Sequence, residues 1–163
     1  MSFNVFISYS TQDLEHVDRL RQQLEATPVA VFIAEHSVHP GNELSSKISK
    51  AIQECDLFVL LWSSNAKNSD WVSQEIGRAD ALGKKILPLM LTEGLSLPGF
   101  INGLKWLPVF SNPKFALEQA RQIIASEYQL KIDIAHLQKE QEQKNALALM
   151  GIGALLLWAF SQK

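Results

Sequence analysis

Cysteine and excess charge are both scarce in this chain of 163 residues. The one cysteine, Cys55, excludes an intrachain disulfide framework and a cysteine-rich zinc site. The 15 basic residues nearly balance the 17 acidic residues, so the net charge of −2 gives no broad attraction toward nucleic acid. Because a chain without disulfides suits a reducing compartment, and because residues 1–7 lack the basic start of a secretory signal, we expect a cytoplasmic domain.

Several motifs that carry chemistry are missing as well. The chain contains no G-x-G-x-x-G or G-x-x-x-x-G-K-[ST] phosphate loop, no G-x-S-x-G nucleophile elbow and no H-E-x-x-H metal motif. His36 and His39 share one loop, where a solvated role is favoured over a metal site. We therefore expect neither a metal ion nor a cofactor.

The composition that is present predicts a folded domain, with 47% hydrophobic and 20% charged residues. Apolar runs alternate with amphipathic stretches along the chain, and Pro88 in the fourth run indicates an edge position or a bulge. The predicted strands span residues 3–9, 29–34, 57–62, 86–91 and, more weakly, 105–110. This alternation predicts an α/β fold with an open, doubly wound parallel sheet of five strands and helices on both faces.

The C-terminal part differs in composition from the rest. Residues 131–145 are polar and charged, whereas residues 146–160 have no charged or polar side chain. We predict a domain over 1–130 and a helical stalk with an apolar tail over 131–163. Three interpretations of the tail stay open: a membrane anchor, although it is shorter than the roughly 20 residues of a span; an assembly helix that contacts copies of itself; and a helix docked on its own domain.

Ligands of such sheets bind beyond the carboxyl ends of the strands, which directs attention to the loops after residues 9, 34, 62 and 91. Trp71 and Glu75 follow the third of these loops and, four residues apart, share one helix face. An aromatic platform beside a carboxylate suits a flat cationic ring next to a catalytic group. On spacing alone, a core position for Trp71 and a solvated position for Glu75 are favoured.

The order of several motifs resembles the TIR (Toll/interleukin-1 receptor) domain family. The strand FISYS at residues 6–10 matches the first box of the family, and Pro40-Gly41 matches its BB loop. The S-x-W-V-x-x-E run at residues 69–75 matches the segment called αC, and Pro88-Leu89 fits the fourth-strand motif. The resemblance covers roughly residues 1–128 and is to bacterial members more than to animal adaptors. It implies that the five-stranded sheet has the flavodoxin-like arrangement of the TIR fold.

The resemblance implies an enzyme that cleaves the nicotinamide–ribose bond of NAD+, with Glu75 as the catalytic carboxylate. NAD+ is then a substrate and not a cofactor. The products are nicotinamide and ADP-ribose or a cyclic variant, and a role in bacterial antiphage defence or stress signalling follows by analogy. The implied substrate-binding residues are Tyr9, Ser10, His36, Pro40, Gly41, Ser69 and Trp71.

The resemblance also implies that activity needs self-association through the BB loop, residues 35–42, and the helix over 70–82. Two other classes of function stay open. The domain could be a non-catalytic scaffold for TIR–TIR contacts, or an enzyme similar to nucleoside 2-deoxyribosyltransferases. The group that binds the pyrophosphate also stays open among the loop histidines, Lys47 and Arg78.

Overall fold

The computed structural model of the chain describes residues 2–25, 27–33 and 42–161. Two 3-10 turns, Thr11–Asp13 and Gly99–Ile101, accompany the strands and helices. In chain order these are β1 (Phe3–Ser8), α1 (Leu14–Leu24), β2 (Val29–Ile33), α2 (Asn42–Glu54), β3 (Leu57–Trp62), α3 (Ser64–Lys67), α4 (Asp70–Ala81), β4 (Lys85–Met90), β5 (Leu107–Pro108) and α5 (Pro113–Ser161).

The five strands form one parallel sheet in the order β2-β1-β3-β4-β5. β1 lies between β2 and β3, with Val5 in register with Val31 on one side and with Leu57 on the other. This is the strand order of flavodoxin-like folds. In such folds β2 is added on one side of β1 and the later strands on the other side, so the direction of winding changes at β1. The predicted fold class is confirmed.

Both faces of the sheet are covered, because every residue of β3 is buried, whichever face its side chain is on. On one face, Phe6 stacks against Phe32 and Phe58 with ring centroids 5.4 Å and 5.3 Å apart. The same hydrophobic cluster includes Val72 and Ile76 of α4. These contacts fix α4 on the sheet and thereby fix the direction of its neighbouring side chains.

Three local predictions differ from the structure. The polar segment 63–69, predicted as a loop, contains the short helix α3, because the Ser63 hydroxyl accepts a hydrogen bond from the backbone N–H of Ala66 at 3.0 Å. The weak fifth strand has two residues instead of six. An edge position or a bulge was predicted at Pro88, whereas β4 lies between β3 and β5. However, β5 pairs only with Leu89 and Met90, so Pro88 has no partner strand on that side.

The chain divides into two compact units, Met1–Ser126 and Glu127–Lys163. The second unit is helical up to residue 161, with side-chain hydrogen bonds from Gln129 to Asp133 and from Gln141 to Asn145. The predicted division near residue 130 stays a prediction. Within the described residues, no helix is long and apolar enough to cross a membrane.

Candidate functional site

The helix α4 begins at the carboxyl ends of the strands, where its start is defined by the sequence. Ser69 is the N-cap, and its hydroxyl accepts a hydrogen bond from the backbone N–H of Val72 at 3.3 Å. Asp70 adds a negative charge in the first turn, where the helix dipole favours it. This start sets the rotation of the helix, and with it the positions of Trp71 and Glu75.

Glu75 lies in the interior between α4 and the sheet, with only 3% of its surface exposed. The hydroxyl of Ser8, the last residue of β1, donates a hydrogen bond to Oε2 of Glu75 at 2.5 Å. Ser8 itself has 0% of its surface exposed. The two side chains therefore join the end of a central strand to the second turn of α4.

The environment changes the acidity of this carboxyl group. Burial raises the pKa of Glu75 from its usual value of 4.5 to about 7, and the hydrogen bond from Ser8 opposes that rise. A carboxyl group with a pKa near 7 is present in both protonation states at neutral pH. It can therefore act as a base or nucleophile, or as an acid, under the conditions in which enzymes work.

The burial of Trp71 and Glu75 is the reverse of what spacing alone favours. The indole of Trp71 is 46% exposed, whereas the carboxylate is in the interior. An exposed indole one helical turn before a buried carboxyl group gives the helix start an apolar surface beside an ionisable group. The core position for Trp71 and the solvated position for Glu75 are therefore not found, and the functional roles of the pair stay predictions.

Three other predicted binding residues, Tyr9, Ser10 and Ser69, lie near the starts of helices at the same edge of the sheet. Tyr9 and Ser10 follow β1 and are both buried, and the Ser10 hydroxyl accepts a hydrogen bond from the N–H of Gln12 at 3.5 Å. The hydroxyl of Ser69 is engaged in the helix cap. Binding roles for these three residues stay predictions.

The predicted loop residues His36, Pro40 and Gly41, like His39, lie outside the described residues. Lys47 on α2 and Arg78 on α4 are both exposed, and they stay candidates for the pyrophosphate-binding group. Within the described part of the chain, no group of three or more metal-ligating side chains occurs.

Two buried polar features at this edge of the sheet were not assigned a functional role from the sequence. One is Ser8. The other is Asp13, whose carboxylate accepts hydrogen bonds from the Ser63 hydroxyl at 2.5 Å and from the Asn65 amide at 3.0 Å. The second network fastens the segment after β1 to the segment after β3. A polar residue at or directly after the end of an apolar strand, as at Ser8 and Ser63, is the signal that could have found both.

The sequence profile of the TIR domain family matches residues 5–124. The chain therefore belongs to the TIR domain family, and the predicted resemblance is confirmed. No curated protein matches the chain.

Three solved structures show the same fold. The TIR domain of the Toll-related receptor TRR-2 from Hydra magnipapillata is 23% identical, with 68% of this chain and 94% of that chain covered and a TM-score of 0.53. The CMP N-glycosidase BcmB from Clostridium botulinum is 24% identical, with 72% and 97% covered and a TM-score of 0.56. A prokaryotic SEFIR domain is 18% identical, with 74% and 97% covered and a TM-score of 0.55.

Proposed function

We propose that this chain is a TIR-domain NAD+ glycohydrolase in which Glu75 is the catalytic carboxylate. The observation that carries the proposal is the buried Glu75 carboxyl group, joined to Ser8 at the carboxyl end of the sheet, with a pKa raised to about 7. Raised pKa values of this kind are concentrated at catalytic sites. The residue occupies the glutamate position of the S-x-W-V-x-x-E run that the family resemblance assigns to catalysis.

The chemistry of the bond explains why a carboxylate suits this reaction. When the bond between ribose C1′ and the pyridinium nitrogen breaks, its electron pair neutralises the pyridinium, and nicotinamide leaves as a neutral molecule. Positive charge then develops on the ribose, and ionised Glu75 stabilises it or attacks C1′. Water completes the reaction, giving ADP-ribose and a proton; in a cyclic product a second group of the nucleotide replaces water.

Trp71 supplies the second part of the site. Its side chain is nearly half exposed and lies one helical turn before Glu75. In this proposal a flat ring stacks on Trp71, and the ribose enters beside the buried carboxyl group. Tyr9, Ser10 and Ser69 complete the wall in this proposal, and the loop over 35–42 closes it. Lys47 or Arg78 is the candidate partner for the pyrophosphate.

A nucleotide N-glycosidase is the second candidate function. A pyrimidine base leaves a ribose more easily when it is protonated, and a carboxyl group with a pKa near 7 carries a proton for part of the time at neutral pH. The structurally similar protein from Clostridium botulinum is a CMP N-glycosidase. CMP is therefore the substrate to test beside NAD+.

Self-association is part of the proposed mechanism. The loop over 35–42 of one copy completes the site of its neighbour, and helix α4 offers the exposed side of Trp71 and Arg78 to that contact. Because assembly is concentration-dependent, the activity per molecule is expected to rise with protein concentration. A scaffold that uses the same contacts without chemistry would assemble and leave NAD+ intact.

The test is release of nicotinamide from NAD+, and of cytosine from CMP, by the full chain over a range of protein concentrations. Glu75→Gln keeps the size of the side chain and removes its charge, so it should abolish release. Glu93→Gln changes an exposed glutamate and should have no effect. An assembled, folded protein that releases neither base, or equal release by wild type and Glu75→Gln, would refute the proposed function.

A further inference from the structure

We propose that Ser8 is a positioning residue, whose hydroxyl orients the Glu75 carboxylate and keeps it in the ionised form. The inference rests on the proposed function for its catalytic consequence. The coupling between the buried Ser8 hydroxyl and the buried Glu75 carboxyl group does not depend on that function, because it follows from the geometry of the pair. In this proposal Ser8, whose side chain is completely buried, acts through Glu75 and touches no substrate.

The hydroxyl is held in place by the sheet. Ser8 ends the central strand β1 and is in register with Leu60 of β3, so its backbone is fixed by parallel pairing. Its oxygen lies 2.5 Å from Oε2 of Glu75, which is within the range of short hydrogen bonds to carboxylates. A carboxyl group on a helix is thus tied to a rigid strand, and one of its two oxygens has a fixed direction.

The hydrogen bond also stabilises the ionised form of Glu75 relative to the protonated form. A hydroxyl that donates to a carboxylate stabilises the ionised form, and accordingly the Ser8 bond lowers the pKa of Glu75 while burial raises it. Without the hydroxyl, burial would act alone, and a larger share of the molecules would carry a protonated, unreactive Glu75 at neutral pH.

Other charged groups do not explain this effect. Apart from Glu75 itself, the described charged side chains on α4 and on the elements that contact it are exposed, and β1 carries none. They are Lys47, Lys50, Glu54, Lys67, Asp70, Arg78, Asp80 and Lys85. The buried Asp13 has its own donors, Ser63 and Asn65. Burial and the Ser8 hydroxyl are the two causes of the altered pKa of Glu75.

The nearby serines have different partners. The hydroxyl of Ser10 accepts from Gln12, and that of Ser63 donates to Asp13 and caps α3. Ser63→Ala is therefore a matched control, because it removes a buried hydroxyl directly after the adjacent strand β3. Its expected effect is on stability, with no effect on Glu75.

The direct test is a titration of the full chain labelled with ¹³C at the glutamate carboxyl carbon, in which the Glu75 signal is assigned by its loss in Glu75→Gln. Ser8→Ala should raise the titration midpoint of Glu75 by about 1 pH unit, since a hydrogen bond to a charged group is of that size. Ser8→Thr, which keeps the hydroxyl, should restore most of the shift. Ser63→Ala should leave the midpoint at the wild-type value.

The kinetic test follows from the same shift. With the midpoint moved from about 7 to about 8, the ionised fraction at pH 7 falls about fivefold, and it recovers to near the wild-type fraction at about pH 9. The kcat of Ser8→Ala for nicotinamide release should follow this pattern. The KM should stay within about twofold, because the hydroxyl does not contact substrate.

The outcomes separate this inference from the proposed function. An unchanged Glu75 midpoint in a folded Ser8→Ala variant overturns the inference, whatever the enzyme does. A shifted midpoint in a chain whose wild type releases no nicotinamide supports the coupling and refutes the proposed function. A loss of kcat that is the same at pH 7 and pH 9, with no midpoint shift, also overturns the inference, because it indicates a general structural defect.

Discussion

Replacing Glu75 by glutamine should abolish activity and at the same time stabilise the protein at alkaline pH. The folded protein binds the Glu75 proton with a pKa of about 7, whereas a solvated glutamate has a pKa of 4.5. Between these values the native state keeps the proton that the unfolded chain releases. The free energy of unfolding therefore falls as the pH rises from 4.5 to 7 and stays lower above that range. Glutamine has no proton to lose, so the free energy of unfolding of the variant does not decrease in this way.

The magnitude follows from the two pKa values. A difference from 4.5 to about 7 corresponds to about 3 kcal/mol of stability lost once Glu75 is fully ionised. Most of this loss, about 2.5 kcal/mol, falls between pH 5 and pH 8. For a chain of this length it corresponds to a difference of about 5–10 °C in Tm. Glutamine can still accept the hydrogen bond from Ser8, so we expect little change in packing.

The assay is urea unfolding of wild type and Glu75→Gln at pH 5 and pH 8. The stability difference between the two proteins should increase by about 2.5 kcal/mol in favour of the variant as the pH rises. Glu93→Gln, at an exposed site, should show no such pH dependence. A variant that is equally stable relative to wild type at both pH values would refute the reasoning, because Glu75 would then titrate as a solvated carboxyl group.

Three further predictions concern activity and the neighbouring network. Nicotinamide release by the wild type should rise with pH with a midpoint near 7 and fall about tenfold per pH unit below about pH 6; a flat profile would exclude ionised Glu75 as the reacting form. Trp71→Ala should raise the KM for NAD+ about tenfold with little change in Tm. Phe115→Ala, at another exposed aromatic residue, should leave the KM unchanged, and an equal rise of KM in both variants would refute stacking on Trp71. Asp13→Ala should reduce the free energy of unfolding by about 2–3 kcal/mol in urea, since the buried Ser63 hydroxyl and the half-buried Asn65 amide lose their acceptor. The exposed Asp18→Ala should cost under about 0.5 kcal/mol.

Much of the fold could be predicted because its strands are apolar on both faces. The run Leu57–Trp62 has no polar residue, and such a run inside a chain that alternates strands and helices is typical of a covered parallel sheet. The order of strands was beyond the reach of pattern alone, because hydrophobicity does not state which strand is adjacent to which. The helix α3 was missed for a related reason: its four residues are too few to show a period, and only the cap at Ser63 marks its start.

The candidate site was predictable in part. The S-x-W-V-x-x-E run singled out Trp71 and Glu75, but the spacing could not tell which of the two would be buried. That outcome depends on the rotation of α4, which is set by the Ser69 cap and by the contacts of Val72 and Ile76 with the sheet. The link to Ser8 spans 67 positions in sequence, and no local pattern encodes a contact of that range.

The stability of the fold alone gives no reason for a carboxyl group at position 75. Its neighbours Val72, Ile76 and Ala79 on the inner side of α4 are apolar, and an apolar or amide side chain in place of Glu75 would avoid the loss of about 3 kcal/mol on ionisation. A scaffold that needs only the outer surface of α4 gains nothing from this buried acid. An enzyme gains a carboxylate that titrates near neutral pH and is held by a rigid strand. The pH-dependent difference in stability between wild type and Glu75→Gln therefore measures how much folding free energy is lost by ionising a carboxyl group at the proposed catalytic position.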